Sequence, residues 1–199
     1  MLSKPVVAGN AEKFSQEQRG PSHTVVAAVL GLRLSRHGIH LDQEGRGMSY
    51  YEFRKPAGWA QAGSEINIKS TIVATFAGLL AQKKFHPRCS TNGARDDENL
   101  VDLLLKEAYP NDLIGLDSLA WSKLQQESVE LVDTHWAAIE AIAKALWSKK
   151  LTPRQVEPEP MRSHLKDERR LEGSEIVSIL AEFEIAARLR DDGLPRLAD

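Results

Sequence analysis

The sequence has little of several features that would place it in a special class of protein. Its 199 residues include one cysteine, Cys89, which excludes an internal disulfide bond and fits a reducing, cytoplasmic compartment. Its longest apolar run, residues 25–32, is far shorter than the roughly 20 residues that span a membrane. Residues 1–18 lack the apolar core of a secretion signal. We therefore expect neither a membrane span nor a secreted, disulfide-linked domain.

Charge of either sign is also not in excess. The 26 basic and 28 acidic residues leave a formal net charge of -2, which gives no electrostatic footprint for nucleic acid or for an anionic membrane. The hydrophobic content of 42% and the charged content of 27% are ordinary for a soluble globular protein. A chain of this length can bury the core of one domain.

The periodicity of apolar residues predicts a mainly α-helical domain with a small β-sheet, an α+β fold. We expect residues 1–18 to be a flexible arm, 19–190 a single domain with a charged insertion at about 157–172, and 191–199 a tail. The predicted helices are 21–30, 64–84, 98–109, 116–149, a short one from 152 with a capping box, and 174–190, and the predicted strands are 32–41 and 47–53. The apolar positions of the last helix include Ile176, Ile179, Leu180 and Phe183.

The first predicted strand contains two of the six histidines. The side on which its apolar residues point changes near Gly38, which indicates a β-bulge. His37 and His40 are three residues apart, so a regular strand would put them on opposite sides. We therefore expect exposed strand histidines and no shared metal site.

Residues 63–70 nearly fit a phosphate-binding loop. Ile68 stands where the second glycine should be, and no strand leads into the loop. We therefore expect no nucleotide as a cofactor.

Residues 18–31 carry the most information about function. Their apolar second half is typical of a buried helix, with His23 near its beginning. Proline is tolerated in the first turn of a helix but not in its interior, so Pro21 predicts a helix that begins there. Arg19 would then not share a helical face with His23.

This stretch resembles the active-site helix of the FtsH-type zinc metallopeptidases, in which His-Glu-Ala-Gly-His precedes a small-apolar run that ends in Leu-Gly. In that family the two histidines bind zinc and the glutamate is the general base. By this resemblance His23 takes the place of the second histidine, Arg19 that of the first, and Gly20 that of the glutamate.

Three later segments extend the resemblance. Residues 93–100 are similar to the family's Gly-Ala-Ser-Asn-Asp-Leu segment, which makes Asp97 the third zinc ligand by resemblance. Asp96 or Asp97 would equally serve as the N-cap of the helix predicted from residue 98. Ala77 and Gly78 keep small residues of a second family helix and would let another helix approach closely, and residues 131–146 are similar to the family's closing helix.

Two functional hypotheses remain open. The resemblance implies an FtsH peptidase-like helical domain without its own ATPase module, a hydrolase that cleaves a polypeptide substrate with zinc held by His23 and Asp97. A guanidinium has no lone pair to offer a metal, and a glycine cannot act as a base, so Arg19 and Gly20 favour the alternative. In that alternative the chain is a catalytically inactive relative that acts as a binding or regulatory module on a protein partner.

Overall fold

A computed structural model describes residues 19–43, 47–52, 68–87, 95–109, 119–153 and 167–190. This part of the chain is mainly helical with a small sheet, as the periodicity predicted. The elements are α1 (Arg19–Val29), β1 (Leu34–Asp42), β2 (Gly47–Tyr51), α2 (Ile68–Phe85), α3 (Arg95–Ala108), α4 (Leu119–Thr134), α5 (Trp136–Ser148), β3 (Thr152–Pro153), β4 (Asp167–Leu171) and α6 (Gly173–Ala181). The predicted arm and tail and residues 63–67 of the loop-like segment lie outside the described residues.

The four strands form one antiparallel sheet in the order β2-β1-β4-β3. The predicted bulge in β1 is confirmed, because the pairing with β2 shifts register between Leu34 and Ile39. Gly38 lies there with a φ of 65°, and a Cβ at this position would lie 1.9 Å from the carbonyl oxygen of Leu171. The bulge therefore depends on a residue without a side chain.

The charged segment predicted as an insertion at 157–172 ends in a strand of the sheet. β4 covers its residues 167–171, and Glu168 and Leu171 are buried. The charges that suggested a solvated loop have partners: Arg169 stacks on Trp147 at 4.4 Å and donates to that residue's carbonyl oxygen at 2.8 Å. Thr152 and Pro153 form β3 beside β4, so the helix start predicted there is wrong, and the rest of that predicted helix lies outside the described residues.

Helix α2 lies in the middle of the packed helices. It packs against α1, α3 and α4, and residues 71–79 are buried on every side. Ile72, Phe76 and Leu79 of the predicted apolar stripe are in the core, and the Phe76 ring meets the Trp121 ring edge to face at 4.9 Å. The described helices include none that is long and apolar enough to cross a bilayer.

The helix predicted at 116–149 is two helices. The chain bends at His135, which has φ -105° and ψ 21° and precedes α5. Lys84 supports the bend from α2, since its ammonium pairs with Asp133 at 2.6 Å and lies 4.7 Å from the Trp136 ring centroid. The bend keeps buried side chains of both helices against the same core, and His135 is half-buried.

The last helix is much shorter than predicted. Glu172 is the N-cap of α6 and forms a capping box with Glu175, so the helix begins at Gly173, one residue before the predicted start. The helix ends at Ala181, because the chain turns through Glu184 with a φ of 59° and then runs beside β1. This turn buries Ile185 and leaves Phe183, which was predicted to point inward, 36% exposed.

Candidate functional site

Helix α1 begins at Arg19, earlier than the start predicted at Pro21. Pro21 is its third residue, a position whose backbone N–H has no partner within a helix, so the proline ring removes no hydrogen bond there. The Ser22 hydroxyl donates to the Arg19 carbonyl at 2.8 Å, and the Thr24 hydroxyl to the Gly20 carbonyl at 3.0 Å. Because the helix includes Arg19, this residue shares a face with His23, contrary to the prediction.

The His23 ring is held by α2. Its Nδ1 lies 2.8 Å from the carbonyl oxygen of Ala74. A carbonyl can only accept, so Nδ1 carries the hydrogen and Nε2 is turned towards Asp97, 3.4 Å from its Oδ2. Gly78 makes room for the ring, since a Cβ there would lie 2.2 Å from Nε2. The predicted close approach of a helix at Gly78 is confirmed, and the approaching helix is α1.

Asp97 lies in the first turn of α3, which begins at Arg95, so the N-cap predicted at Asp96 or Asp97 is wrong. Its carboxylate forms an ion pair with the Arg19 guanidinium. Burial raises the pKa of Asp97, but the charges and hydrogen bonds of His23 and Arg19 outweigh burial and hold the pKa below its ordinary value. Arg19, His23 and Asp97 together form what we call the charged centre. It contains an ionised carboxylate between a guanidinium and an imidazole.

Tyr51, at the end of β2, is a member of this site that the sequence did not reveal. Its ring stacks on the His23 ring with the centroids 6.3 Å apart. The Thr75 hydroxyl donates to the Thr71 carbonyl at 2.8 Å and also forms a hydrogen bond with the Tyr51 side chain. Burial raises the pKa of Tyr51 to about 12 in spite of this bond. The hydroxyl is thus neutral, and no pattern around Tyr51 indicates which neighbour it meets.

Gly20, which stands at the position of the general base in the resembled family, is buried against the sheet. A Cβ at this position would lie 3.0 Å from Cγ2 of Ile39, which is itself 1% exposed. A side chain at this position would require the Ile39 side chain to shift by a few tenths of an ångström.

The donor set of this centre does not fit a zinc ion. Catalytic zinc sites use three protein ligands and one water. Here His23 and Asp97 offer one donor each, and the third position is taken by Arg19, a fixed positive charge without a lone pair. In the part of the chain that the structure describes, no group of three His, Cys, Asp or Glu side chains is arranged to hold a metal.

His37 and His40 form a second cluster, and two predictions about them are wrong. Both rings lie against Tyr50, with centroid distances of 6.2 and 5.3 Å, because the bulge at Gly38 cancels the alternation between them. Neither is fully exposed. His40 Nδ1 lies 2.9 Å from the Glu168 carboxylate and its Nε2 donates to the His37 carbonyl at 3.0 Å, while Arg170 donates to His37 Nδ1 at 3.2 Å.

The ionisation of His40 reflects these neighbours. Burial lowers the pKa of His40, the Glu168 carboxylate raises it, and the Arg170 guanidinium lowers it again, with a net shift below the ordinary value of 6.5. The hydrogen bonds of this cluster therefore connect β1 to β4, and their role is structural.

No protein-family model matches the chain, and no curated protein is significantly similar to it. The fold and the site define an α+β domain with a charged centre built between two helices. The resemblance to FtsH-type peptidases depends on the motifs quoted above, and the family assignment stays a prediction.

Proposed function

We propose that this chain is a non-hydrolytic binding module, built on a peptidase-like fold, that holds a polypeptide partner without cleaving it. The observation that carries the proposal is the environment of Gly20. A hydrolytic centre of the resembled type needs a carboxylate there to take a proton from water. Gly20 has no such group, and a Cβ at this position would lie 3.0 Å from the buried Ile39 side chain.

The charge of the centre supports the same proposal. Arg19 already neutralises the Asp97 carboxylate, so the position that a metal ion would need carries a positive charge. With neither a general base nor a third ligand, the residues of this centre can hold α1 and α3 together but cannot activate water.

The class of partner follows from the resemblance alone. Residues 18–31 and 93–100 are similar to segments of domains that act on polypeptides, and a fold that loses its hydrolytic groups keeps its surface. A polypeptide is therefore the first ligand to test.

One observation favours the alternative, an active zinc peptidase. His23 donates from Nδ1 to a backbone carbonyl and turns Nε2 towards Asp97, which is the arrangement of a metal-bound histidine and its supporting hydrogen bond. The alternative would need a third ligand and a base from residues outside the described part of the chain.

Fluorescein-labelled, unfolded casein is a suitable probe for both proposals. Anisotropy measures binding, and the release of acid-soluble fluorescence measures hydrolysis, each with and without added zinc. We expect binding without hydrolysis, unchanged by zinc. Zinc-dependent hydrolysis that disappears in His23→Ala would establish the alternative, and the absence of binding would overturn the proposed module.

A further inference from the structure

The Arg19–Asp97 pair lies where two helices meet and is mostly withdrawn from water. The side chain of Arg19 is 19% exposed and that of Asp97 is 26% exposed. Arg19 belongs to α1 and Asp97 to α3, and the described contacts between these helices include this pair and the contact of His23 Nε2 with Asp97 Oδ2 at 3.4 Å. Each of the two charges stabilises the other, because the loss of one would leave the other partly buried without its ion-pair partner.

We propose that the Arg19 guanidinium is a permanent substitute for a divalent metal ion, so that the side chain at residue 19 alone decides whether this centre carries its own cation or binds zinc. The inference concerns the charge of the centre and does not depend on whether the chain binds a polypeptide.

A metal ion in such a centre would neutralise the carboxylate and link the helices that supply its ligands. The guanidinium does both, since it is charged at every physiological pH and its planar fork presents several donors to one carboxylate. A metal ion would also fix the histidine ring, and here the Ala74 carbonyl and the space at Gly78 do so without one. Each structural role of a metal therefore has a protein group that performs it.

The remaining geometry is that of an incomplete metal site. His23 presents Nε2 and Asp97 presents Oδ2 to the same region, 3.4 Å apart. Residue 19 lies one helical turn before His23 on the same face, so a histidine there would direct a second imidazole to that region. Two imidazole nitrogens and one carboxylate oxygen are a three-ligand set that suits zinc.

Four proteins test the inference: the wild type, Arg19→His, Arg19→Gln, and the double variant Arg19→His with Asp97→Asn. Bound zinc per chain is measured after dialysis against zinc and then against buffer, and the melting temperature is measured with zinc and with a chelator. Cobalt(II) absorption gives a second readout, because four-coordinate cobalt has intense visible bands.

We expect the wild type to retain no zinc and to melt at the same temperature under both conditions. Arg19→His should melt lower than the wild type in chelator, by on the order of 2–8 °C, and should recover with zinc at about one ion per chain. Arg19→Gln should melt lower under both conditions, and the double variant should neither retain zinc nor recover.

Three results would overturn the inference: tightly held zinc in the wild type, an Arg19→Gln variant as stable as the wild type, or an Arg19→His variant that folds and ignores zinc and cobalt. If Arg19→His did not fold, Arg19→Lys would decide between the outcomes. It keeps the charge without the fork, so a melting temperature between those of the wild type and Arg19→Gln supports the inference, and one no higher than that of Arg19→Gln contradicts it. None of these results involves polypeptide hydrolysis, so they are separate from the test of the proposed function.

Discussion

The position of the His23 ring depends on the absence of a side chain at Gly78. The imidazole ring occupies the volume that a Cβ at Gly78 would need, with Nε2 2.2 Å from that position. The buried ring is thus fixed by a hydrogen bond on one edge and by a helix backbone on another.

Substitution of Gly78 by alanine should lower the free energy of unfolding by about 1–3 kcal/mol, because the added methyl group overlaps the ring and forces α1 away from α2. Urea unfolding measures the change. In a His23→Ala background the overlap disappears, and the same substitution should be neutral or stabilising by up to about 1 kcal/mol, because alanine favours a helix over glycine. An equal loss in both backgrounds would show that the ring is not the cause.

At this scale the sequence predicted part of the site and could not predict the rest. His23 and Asp97 were grouped through motifs, and the structure brings them into contact, although their role in metal binding stays a prediction. Arg19 joins them because the helix begins earlier than Pro21, which the sequence did not predict. Tyr51 and the Ala74 carbonyl meet His23 through the packing of α2 and β2 on α1, and no spacing in the sequence encodes such a contact.

The features of individual helices and strands were predicted best where one local interaction dominates their formation. The bulge in β1 followed from the reversal of its apolar pattern. The bend at His135 has no proline or glycine to mark it, and depends on packing against α2. β4 was hidden because Asp167, Arg169 and Arg170 find partners on other elements, which composition cannot show.

The bulge itself gives a prediction with a matched control. Gly38→Ala should destabilise the protein by about 3 kcal/mol or more, because it combines a left-handed φ with an overlap with the Leu171 carbonyl. Gly31→Ala has a similar φ of 77° but nothing within 4 Å of the new methyl group, so it should lose only about 1–2 kcal/mol. Denaturant unfolding of both variants compares them directly. Equal losses would mean that the overlap with β4 is relieved without cost.

The end of α6 gives another prediction at this scale. Ile185→Ala should lower the free energy of unfolding by about 2–4 kcal/mol, because Ile185 is 7% exposed and its loss leaves a cavity. Phe183→Ala should cost less than about 1 kcal/mol, since this ring is 36% exposed. Thermal or urea unfolding of the two variants compares their losses of stability. A larger loss for Phe183→Ala than for Ile185→Ala would favour the longer helix that the sequence indicated.

At the scale of the whole molecule, the prediction of a mainly helical fold with a small sheet is confirmed for the described part of the chain, because the overall apolar periodicity averages over errors at individual element boundaries. The order of the strands in the sheet could not be predicted from this periodicity. β4 lies between β1 and β3, and its pairing joins segments that are far apart in the sequence.

The stability of the whole molecule should fall as the pH falls from neutrality. The pKa values of His40, Glu52, Asp97 and Glu175 lie below their ordinary values in the native state. Each group therefore binds a proton less readily in the folded chain than in the unfolded chain. Each contributes stability that is complete above its unfolded pKa and is lost as the pH falls through its folded pKa.

We expect two steps in a plot of unfolding free energy against pH. The first, from His40, begins below about pH 6.5, and the second, from the carboxylates, begins below about pH 4.5. Urea midpoints at a series of pH values measure both. His40→Gln should remove the first step and keep the second. A protein that became more stable between pH 7 and pH 5 would contradict the direction for His40.

The place of β4 in the sheet also has a consequence for synthesis on the ribosome. β1 can pair with β2 as soon as that hairpin emerges, but its other edge is completed only by residues 167–171, about 125 residues further along the chain. At about 5–20 residues per second, that edge waits roughly 6–25 s for its partner. During this interval the nascent chain presents an unpaired strand edge that includes Leu34, Ile39 and Leu41, the kind of edge that can pair with other nascent chains. The yield of folded protein should thus depend on the speed of translation between β2 and β4.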